Sequence, residues 1–221
     1  MKKIIISIFF AVLLCSCSTS NLTRGSLYPK MYEEKPVTIL VMPPINNTDH
    51  AEAKEYFYSS MTIPLCEKGY YVISPFMAGD LLKQESAYDS ELFINGSLSA
   101  FKNFFGADAI LFTTINKWEK QSGLSYISVN IQYTLKSAKT GEILFDRSGD
   151  LTVNFSNGAN NGLLGMALDM IATATTDKII VARRCNAYVL FDLPNGVYSP
   201  QFDKDQNVKA SKQNFKATVR N

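Results

Sequence analysis

Ile127, Val129, Ile131, Tyr133 and Leu135 alternate with Ser128, Asn130, Gln132 and Thr134. A period of two fits a strand with one buried and one wet face, and no helix could gather those apolar side chains on one side. Ala138-Lys139-Thr140-Gly141 supplies a hairpin turn. Ile143, Phe145, Leu151, Val153 and Phe155 then continue the odd-numbered apolar face along a return strand, where Gly149 reads as a bulge position. A long antiparallel hairpin with one greasy face needs other elements laid over it, so the rest of the chain has to supply them.

The preceding residues do so. Val37 to Met42 is a continuous β-branched and apolar run stopped by Pro43-Pro44, the pattern of a central strand covered on both faces. Asp49 and Glu52 fit a capping box, and Ala53, Phe57, Met61 and Leu65 form an i+4 stripe that Pro64 should kink and Lys68-Gly69 should end. Tyr70 to Ser74 reads as a short strand, Met77 to Gln84 and Leu98 to Phe105 as helices, and Ala109 to Ile115 as a third strand. Beyond a loop at Ser156 to Gly162, Leu163 to Ala182 predicts a long buried helix, followed by the apolar run Tyr188 to Phe191 and a turn at Leu193 to Gly196. The fold class is α/β: a helix-on-sheet sandwich with a mixed sheet ending in an antiparallel hairpin.

The N-terminus sets the location. Lys2 and Lys3 precede an eleven-residue apolar run, Ile4 to Leu14, shorter than the roughly 20 residues a bilayer span needs. Leu14-Cys15-Ser16-Cys17 closes it as a lipobox. Residues 1–16 read as a signal peptide, whose removal leaves Cys17 free for acylation such as palmitate. Ser18 favours transport to the outer membrane, with the domain facing the periplasm. Residues 17–36 read as a lipidated tether, 37–202 as an α/β envelope domain and 203–221 as a flexible polar tail.

Removal of the signal takes away Lys2 and Lys3, leaving 20 basic and 20 acidic residues in 205. A neutral body without a basic block argues against nucleic acid. Cys66 and Cys185 remain as the pair available for one disulfide in an oxidising compartment. His50 is the only histidine and reads as a solvated first-turn residue, not a triad or metal ligand. Asn157 to Gly162 lacks the lysine of a phosphate loop, and Trp118 with the other aromatics reads as core. No catalytic, metal or cofactor site is expected. The loop Pro43, Pro44, Asn46, Asn47, at the C-terminal end of a central strand, is the candidate partner-binding segment.

Several strings carry a resemblance: Val37 to Thr48, Pro64 to Val72, Gly106 to Ile110 running on to Trp118, Lys139 to Glu142, and Leu193 to Gly196. In this order they resemble the signature segments of a bacterial outer-membrane lipoprotein family of unknown function. Its core fold is similar to the curli-secretion lipoproteins, the amino-terminal domain of the Tol translocation protein and the lipoproteins that activate penicillin-binding proteins. The resemblance implies a periplasm-facing α/β domain and no established catalytic residues. Curli-type lipoproteins build a barrel from added hairpins, and this chain has no second long pair of alternating strands beyond 124 to 155. The expectation is a lipid-anchored, non-enzymatic module that binds envelope proteins or its own copies. The alternatives are an oligomeric secretion or transport component and an accessory activator or enzyme of cell-wall synthesis.

Overall fold

A computed structural model describes residues 22–120, 126–155 and 178–220. The elements are α1 (Arg24–Leu27), α2 (Pro29–Glu34), β1 (Thr38–Val41), β2 (Ile45–Asn46), α3 (Ala53–Ser60), α4 (Thr62–Glu67), β3 (Tyr71–Val72), α5 (Pro75–Gln84), α6 (Ser99–Phe105), β4 (Ala109–Lys120), β5 (Tyr126–Ser137), β6 (Ile143–Asn154), α7 (Lys178–Leu190) and β7 (Asn214–Arg220). One mixed sheet runs in the order β3-β1-β4-β5-β6-β7, with β2 also paired to β4. β3, β1 and β4 are parallel, β4-β5-β6 is an antiparallel meander, and β7 lies parallel to β6.

Sequence period decides which layer each strand belongs to. In β1, Ile39 and Val41 join the larger core while Leu40, with Met42 just past the strand, joins a second one on the other face. The larger core takes the odd positions of β5 together with Phe57, Met61 and Leu65 of α3 and α4 and their junction, and Val181, Cys185 and Val189 of α7. The second core, under α5 and α6, adds Ala78, Leu82 and Phe101 to Ile110 and Phe112. Gly106, at φ 67°, ends α6 in the left-handed conformation, and the Asp108 carboxylate then accepts the Val37 and Thr38 amides at 3.1 and 3.0 Å. That clamp fixes where β1 starts beside β4.

The stripe Ala53, Phe57, Met61, Leu65 is buried throughout, but its helix breaks at Met61 into α3 and α4. Pro64 has no N–H to return to Ser60, which loosens the chain one turn earlier. The expected capping box is absent. α3 starts at Ala53 with Glu52 in helical geometry and without a capping bond; Glu52 instead pairs with Lys178 at 2.7 Å.

Four further expectations are corrected. Residues 22–36 are not a bare tether: α1 and α2 place Tyr28 and Met31 in the core. The C-terminal segment is not a flexible tail, because Phe215, Ala217 and Val219 alternate with polar residues and build β7. The bulge of the return strand falls at Ile143–Leu144, leaving Ile143 exposed, while Gly149 stays in register opposite Ile131. Tyr188 to Phe191 is not a separate element, since α7 continues to Leu190 with Arg183, Arg184 and Ala187 on its wet side. The helix reading for 163–177 lies outside the described residues.

Candidate partner-binding surface

Burying the odd residues of β5 pushes its even residues to the opposite face, which α5 and α6 cover only over β1 and the start of β4. Past Phe112 that face is polar. β4 carries a bulge between Ile115 and Lys117, so Asn116 has no strand partner and its side chain turns along the sheet. Asn47 Nδ2 donates to Asn116 Oδ1 at 3.0 Å, Asn116 Nδ2 to Asn130 Oδ1 at 3.2 Å, and Asn130 Nδ2 to Asp150 Oδ1 at 2.9 Å. This amide ladder crosses from the β2 loop to β6. Beside it, Gln132 and Thr134 donate to Asp146 at 3.1 and 2.7 Å, and Ser148 donates to Asn214 at 2.9 Å.

Each primary amide has two N–H donors and two acceptor lone pairs, and the ladder uses one of each at Asn116 and Asn130. Their remaining capacity faces solvent above a concavity of about 760 Å³ lined by Asn130, Gln132, Asp150, Asn214 and Lys216. Rigid strands therefore present fixed donors and acceptors, as a wet protein or glycan contact would require.

The loop picked out from sequence is only partly on this surface. Pro43 and Pro44 are buried, and Ser90 donates to the Pro43 carbonyl at 2.5 Å. The two prolines form a jog between β1 and β2, which both pair with β4. Asn46 spends its side chain on the turn, donating to His50 O at 2.8 Å and accepting from Thr48 N and Oγ1 at 3.2 and 2.8 Å. Asn47 alone of the four is exposed.

His50 lies 3.9 Å from Glu52 with both side chains 42% exposed, and no group of three His, Cys, Asp or Glu among the described residues could hold a metal ion. Cys66 and Cys185 are free thiols, Cys66 exposed and Cys185 sealed in the core, where burial pushes its thiol far up. Trp118 packs edge-on to Phe57 at 5.8 Å. Cys17 lies outside the described residues.

A buried charge cluster went unread in the sequence. Arg24 Nη1 meets Asp205 at 3.0 Å, its Nε lies 3.6 Å from Asp192, and Nη2 donates to Phe191 O at 2.9 Å. Asp205 also accepts Tyr32 and the backbone and side-chain amides of Asn195; Asp192 accepts Tyr28 and the Ser211 amide. Burial, then the neighbouring carboxylate, drives both tyrosine hydroxyls well above their ordinary value, keeping them donors. Lys68 donates to the same Phe191 carbonyl at 2.5 Å, and burial lowers its amine to about 8. The turn Leu193 to Gly196 packs here as well: Gly196 N donates to Lys68 O at 2.8 Å and Tyr70 OH to Pro194 O at 2.6 Å. A Cβ on Gly196 would stand 2.5 Å from Gly69 O, so this contact needs glycine. Arg147 was missed too. It occupies a buried odd position of β6, with Nη1 donating to Val189 O at 2.6 Å and its guanidinium 5.5 and 5.0 Å from the centroids of the Tyr188 and Phe215 rings.

A family model described as "Putative lipoprotein GNA1162-like" matches residues 27–190. The chain belongs to that lipoprotein family. It is 26% identical over 215 residues to the lipoprotein NMB1124/NMB1162 of Neisseria meningitidis serogroup B, covering 93% of this chain and 99% of that one. Among solved structures it is similar to lipoprotein GNA1162 of Neisseria meningitidis, at 27% identity and TM-score 0.49 over 63% of this chain and 97% of the other. It is also similar to the PelC dodecamer of Paraburkholderia phytofirmans, at 15% identity and TM-score 0.45 over 79% and 93% of the two chains. The resemblance drawn from the sequence strings is borne out at the level of the family.

Proposed function

We propose that this protein is a lipid-anchored, non-enzymatic module of the cell envelope that binds other envelope proteins, or its own copies, through the polar face of its sheet. In this reading Cys17 carries the acyl chains, residues 1–16 are removed, and the domain hangs from the outer membrane into the periplasm. The observation that carries the reading is the amide ladder from Asn47 to Asp150, unspent donors and acceptors on a rigid sheet. A photo-crosslinking residue placed at Asn47 or Asn130 in the native protein should capture a defined envelope protein or a ladder of its own copies, and one at Glu85, the residue that caps the end of α5, should not. Equal capture from all three positions would sink the surface. Retention of a Cys17→Ala variant in the membrane fraction would sink the anchor.

A second reading, an oligomeric transport component, is supported by β7. This seven-residue strand ends the sheet among the described residues, and a strand edge of that length can pair with another chain. Detergent-extracted protein running only at monomer mass would refute it.

A further inference from the structure

We infer that the corner bearing Leu22, Phe191, Tyr198 and Val208, with Lys68 and Lys209, lies flat against the headgroup layer of the membrane that holds the anchor. The inference rests on the lipidation of Cys17 proposed above. Its second support is the length of chain between anchor and fold. From Cys17 to Leu22 is five residues, which even fully extended reach only about 17 Å. A domain of this size has a radius of gyration near 16 Å, so its diameter, about 40 Å, exceeds the tether's reach more than twofold. The corner where the chain leaves the fold therefore has to face the bilayer.

That corner is built for a lipid surface. Leu22 O accepts the Ala210 amide at 2.8 Å, Thr23 bridges Lys209, and Arg24 N donates to Val208 O at 2.9 Å, so the start of the fold and the segment before β7 emerge side by side. Phe191 lies over Lys68, 5.2 Å from ammonium to ring centroid, and Tyr198 N donates to Gly69 O at 3.0 Å. Contacts, mostly of the backbone, thus link these four residues around one corner, yet they are 46, 67, 68 and 45% exposed for Leu22, Phe191, Tyr198 and Val208. A tyrosine with a polar tip, a phenylalanine ring and lysines with apolar stems suit an interface where hydrocarbon and phosphate meet within a few ångströms. Of the acids near this corner, Asp192 and Asp205 are buried and bonded to Arg24, and exposed Asp203 is paired with Lys35 at 2.6 Å, so together they present little unpaired negative charge to anionic lipid.

The test uses full-length protein matured in cells and reconstituted in vesicles of phosphatidylethanolamine and phosphatidylglycerol with brominated acyl chains. Phe191→Trp is compared with Phe76→Trp, which sits exposed on α5 across the sheet from α7; native Trp118 is buried and gives a constant background. Membrane-facing helices bury their apolar side roughly 5–10 Å into the headgroup and acyl boundary, so Phe191→Trp emission should fall about twofold or more while Phe76→Trp emission stays unchanged. Flotation with the vesicles but no quenching at Phe191→Trp, or equal quenching of both, overturns the orientation and leaves the anchor standing. An intact mass without acyl chains on Cys17 and failure to float overturn the anchor reading and this one with it. Should Phe191→Trp not reach the membrane fraction, Val208→Trp takes its place with the same expected result.

Discussion

Gly149→Ala tests how β7 is held. Gly149 is opposite Ile131 on one side and Phe215 on the other, and its φ is not in the left-handed region, so alanine fits the backbone. The space is the obstacle. A Cβ there would stand 2.0 Å from Phe215 O and 2.7 Å from Phe215 Cδ2, where real contacts essentially never fall below 3.0 Å. The oxygen is backbone, so no rotamer change relieves the clash, and β7 has to retreat by about 1 Å. A retreat of that size stretches ladder bonds such as Ser148 N to Gln213 O, 2.9 Å, beyond useful range. Two such bonds are worth about 2 kcal/mol together. Loosening Phe215 from Tyr188 and Arg147, ring contacts of 5.3 and 5.0 Å, adds overpacking strain of about 1–2 kcal/mol. The expected loss is about 3–4 kcal/mol, a drop in Tm of roughly 6–15 °C for a domain of this size. Amides 214–220 should also exchange faster while β4 and β5 stay protected. Gly96→Ala is the control, since its nearest neighbour stands at 3.6 Å and the change should cost nothing measurable. A Gly149→Ala protein melting within a degree of the parent, with unchanged exchange at β7, would refute the argument.

Asn186 is wholly buried, accepts the Tyr133 hydroxyl and donates to Phe57 O at 3.2 Å and Ser60 Oγ at 2.9 Å. Asn186→Ala strands the buried Tyr133 hydroxyl, while Ser60 Oγ keeps its bond to Tyr56 O, and should cost about 2 kcal/mol in urea unfolding at unchanged m; a loss below about 1 kcal/mol would contradict this. With Cys17 acylated, one thiol, Cys66, should react with a maleimide in the native protein and Cys185 only after denaturation, because Cys185 is sealed and its thiol held far from ionisation; equal native rates would refute it. Burial of Lys68 lowers its amine from 10.5 to about 8, so across that window the unfolded chain holds a proton the folded one has released. Its contribution to stability therefore rises with pH from about 8 to 10.5, and Lys68→Met should flatten the difference between urea midpoints at the two ends.

How much of the fold can be read from the sequence follows from how much of each element one environment controls. β5 is legible because the larger core takes every odd residue from Ile127 to Leu135 and leaves most of the even ones half-buried on a polar face. β1 is legible because both faces are covered, leaving an unbroken apolar run. α1 and α2, of four and six residues, are too short for a helical period to show. β7 hides because lysine and asparagine fill its wet positions among other polar residues. The site is less legible still. The even residues of β5 announce a wet face, but the bulge that turns Asn116 along that face depends on register with Asn130, set by tertiary contact. Arg147 breaks an apolar alternation and would have drawn attention on that ground alone; its partners, carbonyls at the end of α7, leave no trace in sequence.

The charge cluster ties the start of the described fold to the far edge of the sheet. Arg24 is the first charged residue of the described fold, and its partners Asp192 and Asp205 stand just after α7 and on the approach to β7. Backbone bonds from Leu22, Arg24 and Gly25 to Ala210, Val208 and Gln206 run beside it. Any displacement of residues 22–25 therefore reaches the end of α7 and the approach to β7 together, through side chains that are buried and poorly screened by salt. Losing the guanidinium would leave two carboxylates in that interior without their cation, a larger penalty than a surface pair carries. The same residues thus tie the start of the described fold to the approach to β7, which pairs with β6 where Gly149 supplies the room for Phe215 to close the edge.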